Sequence, residues 1–205
     1  MKVTLSRLAL LAVVACGQPQ IETMTGPSDS ADLPEDEARF WNLIHSSFAT
    51  ARTEFGGIEA LAFSLEKMPR AEVIAFQDTL TEVIERAATY ELQGGACLVG
   101  HGNSDDGFLD FRAWLIAQGR DTFETVLDNP DALAQVPFRV SPAEEWYLEE
   151  MHTVAFDLIT EGEPMWPYDL PVYLGIKFDL TKSELRSRYP ALWSKFGDRY
   201  LHGMD

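Results

Sequence analysis

The sequence predicts a mostly α fold: one compact domain of six to eight helices over residues 35–205, carried behind a leader and a disordered tether. Three observations predict it. Apolar residues recur at steps of three and four through most of residues 35–160. Ser, Thr and Asp stand ahead of these runs, with Gly or Pro behind them, as helix starts and stops require. The strict alternation of a sheet is absent except in Val172-Tyr-Leu-Gly-Ile-Lys-Phe178.

Composition sets the limits. With 205 residues, 46% of them hydrophobic and 11% aromatic, the chain has enough apolar surface for a core and too much for disorder throughout. Its 33 acidic side chains against 16 basic ones give a formal charge of -17, so nucleic-acid phosphate is excluded as a partner. Two cysteines exclude a disulfide scaffold. No apolar run approaches the roughly 18 residues a spanning helix needs.

Residues 1–15 place Lys2 and Arg7 ahead of the apolar stretch from Leu8 to Ala15, the charged-then-apolar order of a secretory signal peptide. The stretch ends in Val13-Val14-Ala15-Cys16-Gly17, which resembles a bacterial lipobox. That resemblance implies cleavage before Cys16, lipid on its thiol, and a membrane partner reached through the acyl chains. Gly17, in place of Asp, implies the periplasmic face of the outer membrane in a Gram-negative host. Cleavage would leave 14 basic side chains against the same 33 acidic ones, a formal -19, so attachment by a basic face is not expected. Residues 16–34, with three prolines and several Gly, Ser and Thr, read as the tether.

Asp32-Leu-Pro-Glu35 supplies a helix start, with Phe40, Ile44, Phe48, Ala51 and Phe55 on one face and Gly56-Gly57 as the stop. Ile58, Leu61, Leu65 and Met68 predict a second helix. A third runs from Pro69 through Val73, Phe76, Leu80, Val83, Ala87 and Tyr90. Gly94-Gly95 and Gly100-His-Gly102 bracket Ala96-Cys97-Leu98-Val99, read as a buried helical turn. Ser104-Asp-Asp-Gly107 starts a fourth helix carrying Phe108, Phe111, Leu115 and Ile116, ended by Gly119, and Asp121 with Glu124 starts a fifth. Asn129-Pro130 marks a turn. The capping boxes Ser141-Pro-Ala-Glu144 and Thr181-Lys-Ser-Glu184 open a sixth helix, through Tyr147, Met151, Val154 and Leu158, and a helical tail broken at Pro190. Between them a Pro-rich stretch, 163–171, reads as irregular and packed by Trp166 and Tyr168.

The densest polar constellation is His101-Gly-Asn-Ser-Asp-Asp-Gly107 with Arg112 and Trp114 beyond it. Asp105 and Asp106, with Asn103 and Ser104 as further oxygen donors and His101 nearby, could hold a divalent cation. The spacing does not fit an EF-hand. The structural alternative is that one aspartate caps the fourth helix while the other pairs with Arg112. Arg112 and Trp114, a guanidinium and an indole on one helix, could hold an anionic or planar ligand. Cys97, in an apolar run, reads as a buried thiol. Glu144, Glu145, Glu149 and Glu150 beside His152 read as a solvated acidic face, with a partner-docking surface as the alternative. Trp41, Trp146, Trp166 and Trp193 read as rings at element ends, which seal a core edge or line a pocket. No nucleophile elbow, HExxH, Walker A or dinucleotide fingerprint occurs, so no cofactor is expected.

Phe40-Trp41-x-x-Ile44, Ser104-Asp-Asp-Gly-Phe-x-x-Phe-Arg-x-Trp-Leu-Ile116 with Gln118-Gly119, Phe123-Glu124 and Asn129-Pro-Asp-x-Leu133 together resemble a bacterial family, domain of unknown function 4240, over roughly residues 35–160. The resemblance implies a shared helical fold and no particular activity. Members often carry Cys before the Ser-Asp-Asp and Trp at the end of the third helix. This chain has Asn103 at the first position and Tyr90 or Leu92 near the second. The functional expectation is a non-enzymatic envelope lipoprotein binding a protein or small ligand around Asp105, Asp106, Arg112 and Trp114. The alternative is a metal-assisted hydrolase using His101, Asp105 and Asp106.

Overall fold

The computed structural model describes residues 33–100, 104–137, 148–160 and 172–202, with side chains of the last helix followed to residue 197. The leader, Cys16, most of the tether, His101, Asn103, the Ser141–Glu144 capping box, Trp146, Tyr147, Gly162 and the 163–171 stretch lie outside the described residues.

Ten α-helices make up the described fold: α1 Glu35–Phe48, α2 Glu54–Leu65, α3 Arg70–Arg86, α4 Tyr90–Val99, α5 Asp105–Ala117, α6 Arg120–Asp128, α7 Glu150–Thr153, α8 Phe156–Thr160, α9 Lys182–Arg188 and α10 Pro190–His202. A 3₁₀ turn, Pro130–Gln135, follows α6. The mostly α expectation holds. Among the described residues no helix is long and apolar enough to cross a membrane.

Two helix boundaries differ from the sequence reading. Gly56-Gly57 do not stop the first helix. The chain leaves α1 at Ala49, and Thr53 opens α2 by accepting the Gly56 N–H at 3.0 Å on its hydroxyl. Phe55 therefore lies on α2 and is exposed, and Gly57 sits where any side chain would enter the Phe48 ring. Tyr90 likewise does not extend α3. Thr89 caps a new helix by accepting the Leu92 N–H at 3.0 Å, and Gly94 and Gly95 lie inside it. The run Ala96–Val99 is its buried last turn, ended by Gly100 at φ 120°. The predicted sixth helix is described only from Glu150 and is broken between α7 and α8.

The core is built around α5. Its residues from Phe108 to Ala117 are buried apart from Leu109 and Asp110, so its apolar surface runs nearly all the way round. α1, α2, α3, α4 and α6 all contact it, which is why it can afford no polar face. Phe40, Ile44, Leu61, Leu65, Leu80, Phe123 and Leu133 complete the same cluster. Trp41 belongs to this core from the second turn of α1 rather than from an element end, with its indole N–H donating to Glu37.

The segments after residue 172 close the other end. Asp131, in the 3₁₀ turn, accepts the backbone N–H groups of Ala191 and Leu192 at 3.0 and 2.8 Å, satisfying two free donors in the first turn of α10 from 60 residues away. The Tyr189 hydroxyl donates to the Glu91 carbonyl at 2.8 Å, and Lys195 donates to that of Ala134. Burial pushes the Tyr189 hydroxyl pKa well above the usual range. The Thr181 capping box is half realised: the Thr181 hydroxyl accepts the Glu184 N–H, whereas the Glu184 carboxylate pairs with Arg188 at 2.9 Å.

Candidate functional site

The start of α5 is fixed by Ser104. Its hydroxyl accepts the Gly107 N–H at 3.1 Å, so neither aspartate is the cap, a correction to the sequence reading. Asp105 and Asp106 occupy the first turn, where their charge faces the positive end of the helix, and both are exposed.

Arg112 and Trp114 lie in the interior, each 1% exposed. Among the described residues no ion pair joins Arg112 to Asp105 or Asp106, which corrects the second half of that reading. Arg112 Nη1 donates instead to the Ile84 carbonyl at 2.9 Å, and its Nε to that of Phe108 at 3.4 Å. The first bond has a local cause. α3 ends at Arg86, and the Ala88 N–H turns to the Glu85 carbonyl, so Ile84 would otherwise lack its helical donor. A cation at the negative end of α3 is also the favourable charge. The guanidinium lies 5.1 Å from the Phe108 ring centroid.

Asp105 has a partner that sequence reasoning missed. The Tyr173 hydroxyl donates to Asp105 Oδ1 at 3.1 Å and receives the Gln93 amide at 3.3 Å. The Tyr173 ring stacks on Tyr90 and Phe108, with centroids 5.1 and 5.7 Å apart. Burial, and then the bond to Asp105, push its pKa from 10.0 up to about 12. The alternation in 172–178 was the available signal: Tyr173 turns inward while Val172, Leu174 and Ile176 turn out. A single parallel bridge holds the segment, Leu174 N–H to the Ala88 carbonyl at 2.7 Å and Tyr90 N–H to that of Leu174 at 3.1 Å. Gly175 permits it, because its φ of 84° suits glycine and a side chain there would meet the Glu91 carboxylate.

His152 is fully buried on α7, with Nε2 3.6 Å from Asp110 Oδ1, so it is not part of a solvated acidic face, although Glu149 and Glu150 are exposed. Burial raises the Cys97 thiol pKa to about 12, which leaves almost no thiolate at neutral pH. Among the described residues no group of three His, Cys, Asp or Glu is placed to hold a metal, and His101 lies outside them. Two cavities are described. One of about 510 Å³ is lined by Lys182, Ser183, Arg186, Ser187 and Trp193, and one of about 20 Å³ lies between α2 and the end of α5. Neither is lined by Asp105, Asp106, Arg112 or Trp114, so the four sequence-predicted candidates divide into an exposed pair and a buried pair.

These features define a helical domain whose central helix is anchored by an internal arginine and whose acidic start is covered in part by a tyrosine from a later segment. The family model described as protein of unknown function DUF4240 matches residues 36–160, and the chain belongs to that family. The matched range covers α1 to α8, while Tyr173, α9 and α10 lie beyond it. No curated protein and no solved structure matches the chain.

Proposed function

We propose that the chain is an envelope lipoprotein, anchored through Cys16, whose helical domain binds a protein partner and catalyses no reaction. The observation that carries the binding reading is the outward edge of the segment beside Asp105. Val172, Leu174 and Ile176 are 83%, 51% and 79% exposed in a strongly acidic protein. Large apolar side chains left in a row at the surface are what a partner covers. With Asp105 bonded to Tyr173 of the same segment, the complementary surface is apolar with basic side chains at its rim. The interior placement of Arg112 and Trp114 supports a scaffolding role for the motif that carries them.

A photo-crosslinking residue at position 176 should give an adduct of discrete mass in the envelope, lost when Val172 is changed to Asp. An adduct no stronger than one from position 59 on α2 would reject the binding surface. Cys16→Ser should accumulate as uncleaved, unlipidated precursor, and normal processing of that variant would remove the anchor. A rise in melting temperature with Mg²⁺, Mn²⁺ or Zn²⁺ that Asp105→Asn abolishes would favour the hydrolase reading instead.

A further inference from the structure

The charge of this protein is unevenly spread. Residues 177–199 hold six of the 16 basic side chains and only three acidic ones, a local +3 within a chain of -17. Several cations in the described structure are engaged: Arg39 with Glu35, Arg86 with Glu37 and Glu124, Arg112 with two carbonyls, Arg188 with Glu184, Lys195 with the Ala134 carbonyl. Lys182 and Arg186 are set apart by standing together at one concavity. Both are exposed on α9, four residues apart on one helix face, and among the described residues neither makes an ion pair. Like charges at that spacing repel. In an acidic protein a neutralising partner would be easy to supply, yet Ser183 and Ser187 flank them instead, and the one acid of that helix, Glu184, pairs with Arg188.

The same four side chains and the half-buried Trp193 of α10 line the cavity of about 510 Å³. A forked guanidinium, an ammonium and two hydroxyls around one concavity are the donors that phosphate oxygens require, and an indole wall covers the carbon atoms attached to them. We propose that this cleft between α9 and α10 binds a phosphate group carried on a small organic moiety, with Arg186 and Lys182 holding the anion and Trp193 packing on its organic part. The site lies outside the matched family range and does not depend on the partner surface proposed above.

The test is calorimetric titration of the full chain in a neutral detergent with inorganic phosphate, with glycerol 3-phosphate, and with mixed micelles carrying phosphatidylglycerol or phosphatidylcholine. Saturable binding of glycerol 3-phosphate, tighter than inorganic phosphate and weakened by salt, is expected. Arg186→Gln should weaken it about tenfold and the Lys182→Gln/Arg186→Gln pair about a hundredfold. Trp193→Leu should narrow the gap between the two soluble ligands. Binding of phosphatidylglycerol micelles alone, lost in the double variant, would identify the source as a lipid headgroup. No binding by any phosphate, or equal binding by the exposed double variant with unchanged circular dichroism, would overturn the proposal.

Discussion

The Tyr173 hydroxyl meets Asp105 at 3.1 Å across 68 residues of chain, tying a segment beyond the matched family range to the Ser104-Asp-Asp start of α5 within it. The contact gives Asp105 a structural role that neither capping nor ion pairing describes. It also explains how an extended segment with one bridge stays in place, since the ring, the hydroxyl and Leu174 are all engaged.

Tyr173→Phe keeps the stacking and loses the hydroxyl, so it should cost about 0.5–1 kcal/mol, the low part of the range because the bond is exposed. It should also change the alkaline limb. The folded-state pKa of Tyr173 is raised from 10.0 to about 12, so the folded state favours the protonated phenol. That contribution is present in full below pH 10 and is lost as pH rises towards 12. Stability measured by denaturant between pH 9 and 12 should fall less steeply in Tyr173→Phe than in the parent. Parallel slopes would show that the hydroxyl takes no part.

Capping distinguishes Ser104 from its neighbours. Ser104→Ala should cost about 1 kcal/mol, because the Gly107 N–H loses its acceptor. Asp106→Ala removes only a favourable charge in the first turn, worth about 0.3–1 kcal/mol and reduced by salt. Urea denaturation at two ionic strengths checks both: a salt-insensitive loss at Ser104 and a salt-sensitive one at Asp106 are expected, and the reverse order would contradict the cap assignment.

What the sequence made legible follows from local physics. The faces of α1 and α3, the burial of Phe108, Phe111, Leu115 and Ile116, and the caps at Thr181 and ahead of α5 depend on residues within one or two turns. What was missed depends on distant partners. Gly56, Gly57, Gly94 and Gly95 look like stops until the side chains that press on Gly57 and Gly94 are known. Arg112 looks like a ligand for Asp105 until the end of α3 is seen to present the Ile84 carbonyl. The alternation around Tyr173 marks a direction but not a partner, and nothing near Asp131 names one, because each acts on an element at least 60 residues away.

Arg112 should be the most sensitive polar residue of the domain. Arg112→Met approximates its length and removes the donor to the buried Ile84 carbonyl, whereas the Phe108 carbonyl keeps its helical donor, the backbone N–H of residue 112. A loss of about 1–3 kcal/mol is expected, the range for leaving a buried acceptor without its donor. Arg112→Lys should recover little, because a point charge cannot reproduce the forked donor. A melting temperature close to the parent's in either variant would show that α3 does not need this cap.

Gly94 is the sharper test of packing between the matched region and the C-terminal helices. Inside a helix, alanine is favoured over glycine by about 1 kcal/mol, so Gly94→Ala in α4 would stabilise if propensity decided. A Cβ there would instead lie 2.5 Å from the Tyr189 hydroxyl oxygen and 2.7 Å from Phe178 Cζ. Tyr189 cannot simply swing away, being 3% exposed and bonded to the Glu91 carbonyl. The net effect should be a loss of about 1–3 kcal/mol, the range for overpacking. Because the nearest atom is the hydroxyl, Tyr189→Phe should relieve part of the clash, and the two substitutions together should cost less than their separate costs combined. Strict additivity in urea denaturation would mean that α4 and Tyr189 do not press on one another at this point.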